Sequence, residues 1–213
     1  MSSTLLRVHH WLPKVQDVLG PGNRAVVWVQ GCSLACKGCM VPETWGVQTA
    51  TLFDPQVLAE QIALVPEVTG VTVSGGEPTE QAHSVARLLF HLKAKGLNTW
   101  LYSGYRLEEL VARDDADTDY LLSLVDVLVD GRYDIHQAGT FRWRGSANQR
   151  IIHLTDAISP SLTAGEESGG VQVTVDKDGQ LMVVGVPPPD FLPHFRSLLL
   201  KRGLTLHSDA PWK

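Results

Sequence analysis

The chain is 213 residues long, 44% hydrophobic and 19% charged, which suits one soluble domain with a real core and leaves room for a small appendage. A net charge of -5 and a pI near 5.9 give no basic footprint for nucleic acid. No apolar run is long enough to span a bilayer, and the opening MSSTLLRVHHWLPK lacks the charged and apolar regions of a secretory signal, so no membrane is expected and the expected location is the cytoplasm.

Taken in order, His9 and His10 precede Trp11 and Pro13 and read as surface or edge-strand residues. Arg24 to Gln30 reads as a strand that runs into VQGCSLACKGCMVPETW, residues 29 to 45, which holds every cysteine in the chain. Asp54 to Val65 reads as a helix, with Asp54 as N-cap and Pro55 at the first position. Val71 to Ser74 is the next strand, and Thr79 to Lys95 a helix with Leu88, Leu89 and Leu92 on its apolar face and His83 and His91 exposed, ending at Gly96. Thr99 to Tyr102 is a strand, with Trp100, like Trp28, most simply in the core. Leu107 to Val111 and Tyr120 to Leu124 read as helical, with the acidic run Asp114-Asp115-Ala116-Asp117 as a solvated loop between them. Val125 to Val129 is a strand. Arg142 and Arg144 flank Trp143, either to meet a partner chain or a phosphate or to make surface ion pairs. Strands alternating with helices imply βα units and a parallel sheet.

The tail is different in kind. Ser159 to Gly170 reads as a linker, VQVTVDKDGQLMVVGV as a hairpin turning at Asp178-Gly179, Phe191 to Arg202 as an amphipathic helix after Pro187-Pro188-Pro189, and Leu204 to Leu206 as a short strand. The expected division is therefore a core over 1–154 and an α+β extension over 155–213, either a small cap or a docking element.

The cysteines are Cys32, Cys36 and Cys39, spaced C-x3-C-x2-C. A reducing compartment disfavours disulfides, and an odd count cannot pair off. Structural zinc wants four ligands, so one of the eight histidines would have to supply the fourth. A 4Fe-4S cluster normally takes four thiolates, and three leave one iron open for a substrate or cofactor. A second signal stands at GVTVSGGEPTE, residues 70 to 80, where Ser74-Gly75-Gly76-Glu77-Pro78 follows the end of a strand. Such a run is common in plain turns. It also suits close backbone approach to a ligand and a carboxylate facing an ammonium group.

Together the cysteine spacing and the GGE run resemble the radical S-adenosylmethionine (radical SAM) superfamily. Within it, GPGNRAVVWVQGC, YSGYRLEEL (102 to 110), LVDVLVDGRY (124 to 133) and WRGSANQR (143 to 150) resemble the activating enzymes of anaerobic (class III) ribonucleotide reductases, over roughly residues 5 to 154. The resemblance implies a partial (β/α) barrel carrying its chemistry on loops at the C-terminal strand ends. It also implies a 4Fe-4S cluster held by Cys32, Cys36 and Cys39 and reductive cleavage of SAM, with a glycine radical installed on a partner enzyme and electrons from a flavodoxin- or ferredoxin-type donor. By position it implies that Gly75, Gly76 and Glu77 hold the methionine amino group, that Ser103 and Gly104 approach the ribose or carboxylate, and that Asp130 and Arg132 contact SAM. Gly38 and Met40 flank the last cysteine on the adenine side, with Met40 where the family usually has an aromatic residue. Where Glu77 stands, the activating enzymes often have aspartate. The alternatives are a radical SAM enzyme acting on another peptide or small metabolite, and a zinc-binding module without catalysis.

Overall fold

Strands that are apolar on both faces have to be covered on both, and this requirement shapes the sheet. The computed structural model describes residues 4–164, 169–175, 181–188 and 190–205. Its strands are β1 (Leu6–Gln16), β2 (Asn23–Val29), β3 (Thr51–Phe53), β4 (Gly70–Gly75), β5 (Asn98–Ser103), β6 (Val127–Asp130), β7 (Ala138–Phe141), β8 (Arg144–Ser146), β9 (Arg150–His153), β10 (Val171–Val175) and β11 (Leu181–Gly185). Its helices are α1 (Pro55–Ala63), α2 (Ala82–Lys93), α3 (Leu107–Val111), α4 (Ala116–Ser123) and α5 (Phe191–Lys201). A seven-stranded sheet runs β3-β1-β2-β4-β5-β6-β9. Its centre, β2, β4, β5 and β6, is parallel. The flanking β1, β3 and β9 are antiparallel. The strand order ends at β3 and β9, and no closed barrel forms among the described residues.

One face of the sheet, with Val27, Val71, Val73, Leu101 and Leu128, packs against Leu58 and Ile62 of α1 and Val85, Leu88, Leu89 and Leu92 of α2. The other face carries Val26, Trp28, Trp100, Tyr102, Val127 and Val129. It is covered from two sources: Trp143 and Ile158 over β5 and β6, and Val184 and Val186 of the tail, which join Val15, Val18, Leu19 and Val26. At the start of β2, Arg24 is fully buried. Its guanidinium donates to Thr72 Oγ1 at 2.7 Å, Asn98 Oδ1 at 2.6 Å and the Val71 carbonyl at 2.7 Å. It ties three strands together at the end of the sheet away from the cysteines.

Several expectations hold to within a residue or two, including α1, where the Asp54 carboxylate accepts from the N–H groups of Gln56 and Val57 at 2.8 and 3.2 Å. Others change. The His9–His10 segment is an eleven-residue strand in the sheet. The expected helix from Thr79 opens as a 3₁₀ turn, Pro78–Gln81, before α2. The acidic run belongs to α4: Asp115 caps it through Thr118 N–H at 3.0 Å, and Asp117 pairs with His83 at 3.0 Å. Trp28 is only half-buried. The expected linker is tied back, since His153 bonds the Ile158 carbonyl at 3.0 Å and Thr163 Oγ1 at 2.7 Å. β10 and β11 pair antiparallel as expected. The turn at Asp178-Gly179 and the end of the strand expected at Leu206 lie outside the described residues.

Candidate functional site

Four loops meet where β2, β4, β5 and β6 end. The first carries the cysteines. Gln30, fully buried, donates to the Glu43 carbonyl at 2.8 Å and bonds His9 Nδ1 at 2.9 Å. Gly31 N–H donates to the Thr44 carbonyl at 2.7 Å and Cys32 N–H to the Trp45 carbonyl at 3.0 Å. The loop is thus closed at its base, and Cys32, Cys36 and Cys39 stand half-buried on it as free thiols.

The second loop is Gly75-Gly76-Glu77. Gly76 N–H donates to the Val29 carbonyl and Glu77 N–H to the Gly31 carbonyl, both at 2.8 Å. A side chain on Gly76 would stand 2.3 Å from the Gly31 oxygen, and one on Gly75, whose φ is +97°, 2.6 Å from Val29 N. The close approach these glycines permit is therefore to the root of the cysteine loop. Glu77 is buried, and its carboxylate accepts from Thr79 N–H (3.0 Å), Thr79 Oγ1 (2.7 Å), Ser103 Oγ (3.0 Å) and Gly104 N–H (2.8 Å). Four donors match the roughly four lone-pair sites of a carboxylate. Burial pushes its pKa up, and these bonds pull it back.

The third loop, Ser103 and Gly104, is joined to the second through Glu77, and a side chain on Gly104 would strike Leu34 of the cysteine loop at 2.3 Å. The fourth leaves β6. Asp130 is fully buried, with Arg150 Nε at 2.9 Å and Leu107 N–H at 2.8 Å, and Arg150 Nη2 bonds it too. The carboxylate expected to face SAM is thus taken up by a strand partner and the start of α3. Arg132 is exposed, with its charge near Cys36, and Ile135 lies over Gly38. Met40 packs toward the face opposite α1 and α2, in the cluster that holds Trp28, Tyr102 and Met182 of the tail.

Burial raises the pKa values of Cys32 and Cys36. The N–H groups of Leu34 and Ala35 on Cys32, and Tyr133 N–H with the Arg132 charge on Cys36, favour the thiolates. Three half-buried free thiols on one loop closed at its base form a donor set that fits an iron–sulfur cluster. Among the described residues no three Cys, His, Asp or Glu side chains are gathered to hold one ion. A cubic cluster takes each thiolate at a different iron, so its ligands stand apart.

Sequence reasoning missed the residues that stitch these loops. Glu80 receives Ser33 N–H at 3.0 Å. Gln81 receives Arg7 N–H at 2.9 Å and donates to the Gln30 carbonyl at 3.1 Å. Asn148 and Gln149 donate to the Arg132 and Gly131 carbonyls at 2.8 and 2.9 Å. For these last two the signal was visible as the GS-x-NQR run, without its reason. The flanking arginines stack on rings, Arg142 over Trp143 at 4.2 Å and Arg144 over Phe141 at 5.1 Å.

Comparison with known proteins adds a separate line. The family model of a 4Fe-4S single cluster domain matches residues 18–152. Three relatives share the name anaerobic ribonucleoside-triphosphate reductase-activating protein. The one from Vibrio cholerae is 34% identical over 159 residues, 70% of this chain and 99% of the relative. That of Haemophilus influenzae is 37% identical over 148 residues, 64% and 92% of the two chains. That of Enterobacteria phage T4 is 31% identical over 147 residues, 66% and 90%.

Proposed function

The chain belongs to the 4Fe-4S single cluster domain family and to that of the anaerobic ribonucleoside-triphosphate reductase-activating proteins, and from that premise we propose that it activates such a reductase by installing a glycyl radical on it. The observation that carries the reading is the closed cysteine loop, with three half-buried thiols and no fourth cysteine in the chain, stitched to the Gly75-Gly76-Glu77 loop. The cluster supplies an electron for the reductive cleavage of SAM.

Cys32, Cys36 and Cys39 would hold the cluster, whose remaining iron would be open to the methionine amino and carboxylate groups of SAM. The backbone of Gly75 and Gly76 and the rim at Ser103 and Gly104 border that position, and Arg132 offers a cation beside Cys36. Glu77 works by fixing both loops at once, since its acceptor sites are filled from within the chain. Asp130 acts through Arg150 and α3. The backbone at Gly38 and Met40 serves the adenine. The parallel strands with helices on one face are read as the partial (β/α) barrel of radical SAM type, its core ending near 154, two residues beyond the matched span. A flavodoxin- or ferredoxin-type protein supplies electrons. No helix among the described residues is long and apolar enough to cross a membrane.

One observation favours a second reading, a radical SAM enzyme that modifies another peptide or small metabolite: the tail lies beyond the matched span and covers part of the sheet face opposite α1 and α2. The experiment incubates anaerobically reconstituted protein with SAM, a reductant and a purified anaerobic reductase. The expected result is 5′-deoxyadenosine formed in step with a glycyl-radical signal on the reductase. SAM cleavage without that radical points to the second reading. Stoichiometric zinc without sulfide in protein purified away from oxygen overturns both.

A further inference from the structure

Side chains alternate along β11, so Met182 and Val184 share one face of the hairpin, and Val186 continues it. Val184 and Val186 are buried among Val15, Val18, Leu19 and Val26, whereas Met182 is half-buried. Met40, Trp28 and Tyr102 pack on the same cluster and are half-buried too. Met40 directly follows Cys39. The Trp28 ring stacks with that of exposed His10, their centroids 6.3 Å apart and their planes at 27°. The Tyr102 hydroxyl donates to the Trp143 carbonyl at 3.0 Å, which leaves its ring for apolar contact. Two thioethers and two rings, drawn from the cysteine loop, β2, β5 and the tail, thus stand partly open on one cluster next to the last cysteine. The base of the hairpin that brings Met182 there is pinned. Gln16 N–H donates to Gln172 Oε1 at 3.1 Å and Gly169 N–H to the Thr140 carbonyl at 3.3 Å. A side chain on Gly185, whose φ is +122°, would stand 2.4 Å from the Gly170 oxygen, so the two strands close tightly there.

We propose that Met182 is a specificity residue for the partner reductase: with Met40 and Trp28 it forms a wall on which the glycine-bearing segment of the partner packs as an extended peptide with apolar side chains. The inference rests on the activase reading made above and deepens it. To lose a hydrogen atom, the glycine has to come within contact of bound SAM, so its segment enters beside the cysteine loop. The span that holds the cysteines, the glycine loop and both carboxylates stops at residue 152, before β10 begins at Val171. The Vibrio cholerae relative aligns over 99% of its own length yet reaches only 70% of this chain. The tail is therefore an addition to the shared core. Cluster and SAM are the same molecules in every member, whereas a partner protein has its own sequence, and a side chain added from outside the core acts on what differs. Thioethers adapt to an irregular apolar surface and a tryptophan offers a rigid one, a pairing that suits a peptide wall.

The test titrates the anaerobically reconstituted full chain with a purified anaerobic reductase at saturating SAM and reductant, and follows the glycyl radical by EPR, for the parent, Met182→Gln and Met182→Leu. Glutamine keeps the length of methionine and adds an amide that the segment would have to desolvate, whereas leucine keeps the apolar contact. Iron content, melting temperature and SAM cleavage without reductase are measured on the same samples. The expected result for Met182→Gln is a KM for the reductase raised roughly tenfold, the size of one lost interface contact, at the parent's kcat, iron content and melting temperature. Met182→Leu should return most of that loss. An unchanged KM in Met182→Gln overturns the proposal. An equal fall in SAM cleavage without reductase also overturns it, since the wall would then serve SAM, and so does a loss of radical that only follows the melting temperature in both variants, since Met182 would then be packing alone. A parent that cleaves SAM and leaves no radical on the reductase defeats the functional reading itself, before any variant is compared.

Discussion

The cysteine end and the tail cover opposite needs of one sheet, and they are held by different forces. At the cysteine end, loops are joined by short polar bonds whose donors and acceptors are fixed in position, such as the four donors on Glu77. Among the described residues, the tail is held by burial of Val184 and Val186 together with bonds such as Gln16 N–H to Gln172 Oε1 at 3.1 Å and Gly169 N–H to the Thr140 carbonyl at 3.3 Å. Directional bonds fix atoms in place, as a redox site needs, whereas apolar contact covers a surface and tolerates adjustment.

The sharpest way to break the polar end is Gly76→Val. Its side chain meets backbone at 2.3 Å, so the two loops must part, at a cost of about 3 kcal/mol or more. Iron analysis should find the cluster lost, and a variant that keeps both its iron and its melting temperature would refute the stitching. Glu77→Gln comes next, replacing an acceptor of four bonds with an amide that must also donate, for about 2 kcal/mol. It carries a pH signature. Burial raises the folded pKa above the unfolded one, so the folded state binds the extra proton and parent stability falls as pH rises from the ordinary carboxylate value through the raised one. Melting curves against pH should show that slope in the parent and a flatter one in Glu77→Gln.

The tail should respond by amount rather than by position. Val184→Ala and Val186→Ala should each remove about 1–2 kcal/mol in chemical denaturation and leave iron content at the parent's level. Iron lost in proportion to stability would erase the distinction between the two regions. Gln172→Ala, the smallest change, should cost under about 1 kcal/mol. A larger loss would mean that the tail, too, is held by directional bonds.

What could be read from the sequence follows the same divide. β2, β4, β5 and the helices after them repeat at regular periods, and the Asp54 cap acts within three residues, so local pattern suffices. β1 was hidden because its pairing with β2 shifts register between Val8 and His10 and again between Leu12 and Val15. Two irregularities break the alternation of a strand, and Pro13 falls inside the second, where no ladder donor is required. β7, β8 and β9 have only three or four residues, too few to show a period. In the site, the cysteines and glycines were legible as motifs, but the motif spacing said nothing of what fills them. That Gly76 faces Gly31, 45 residues back, and that two of the four donors on Glu77 come from Ser103 and Gly104, 26 and 27 residues on, depends on contacts distant in the chain. The amides of Asn148 and Gln149 reach back 16 and 18 residues to carbonyls that no side-chain pattern records.

The placement of Val184 and Val186 against Val15, Val18, Leu19 and Val26 also sets an order of events during synthesis. A chain made from its N-terminus completes the cysteine loop and its three neighbouring loops by residue 150, well before the valines that pack on Val15, Val18, Leu19 and Val26 have been joined. At typical elongation rates the interval from residue 154 to residue 186 is roughly 2–6 s. During that interval the four loops are complete while the part of that face around Val15, Val18, Leu19 and Val26 still lacks its valines. Newly made chains therefore pass through a stage in which metal loading and self-association compete, and the arrival of the hairpin ends it.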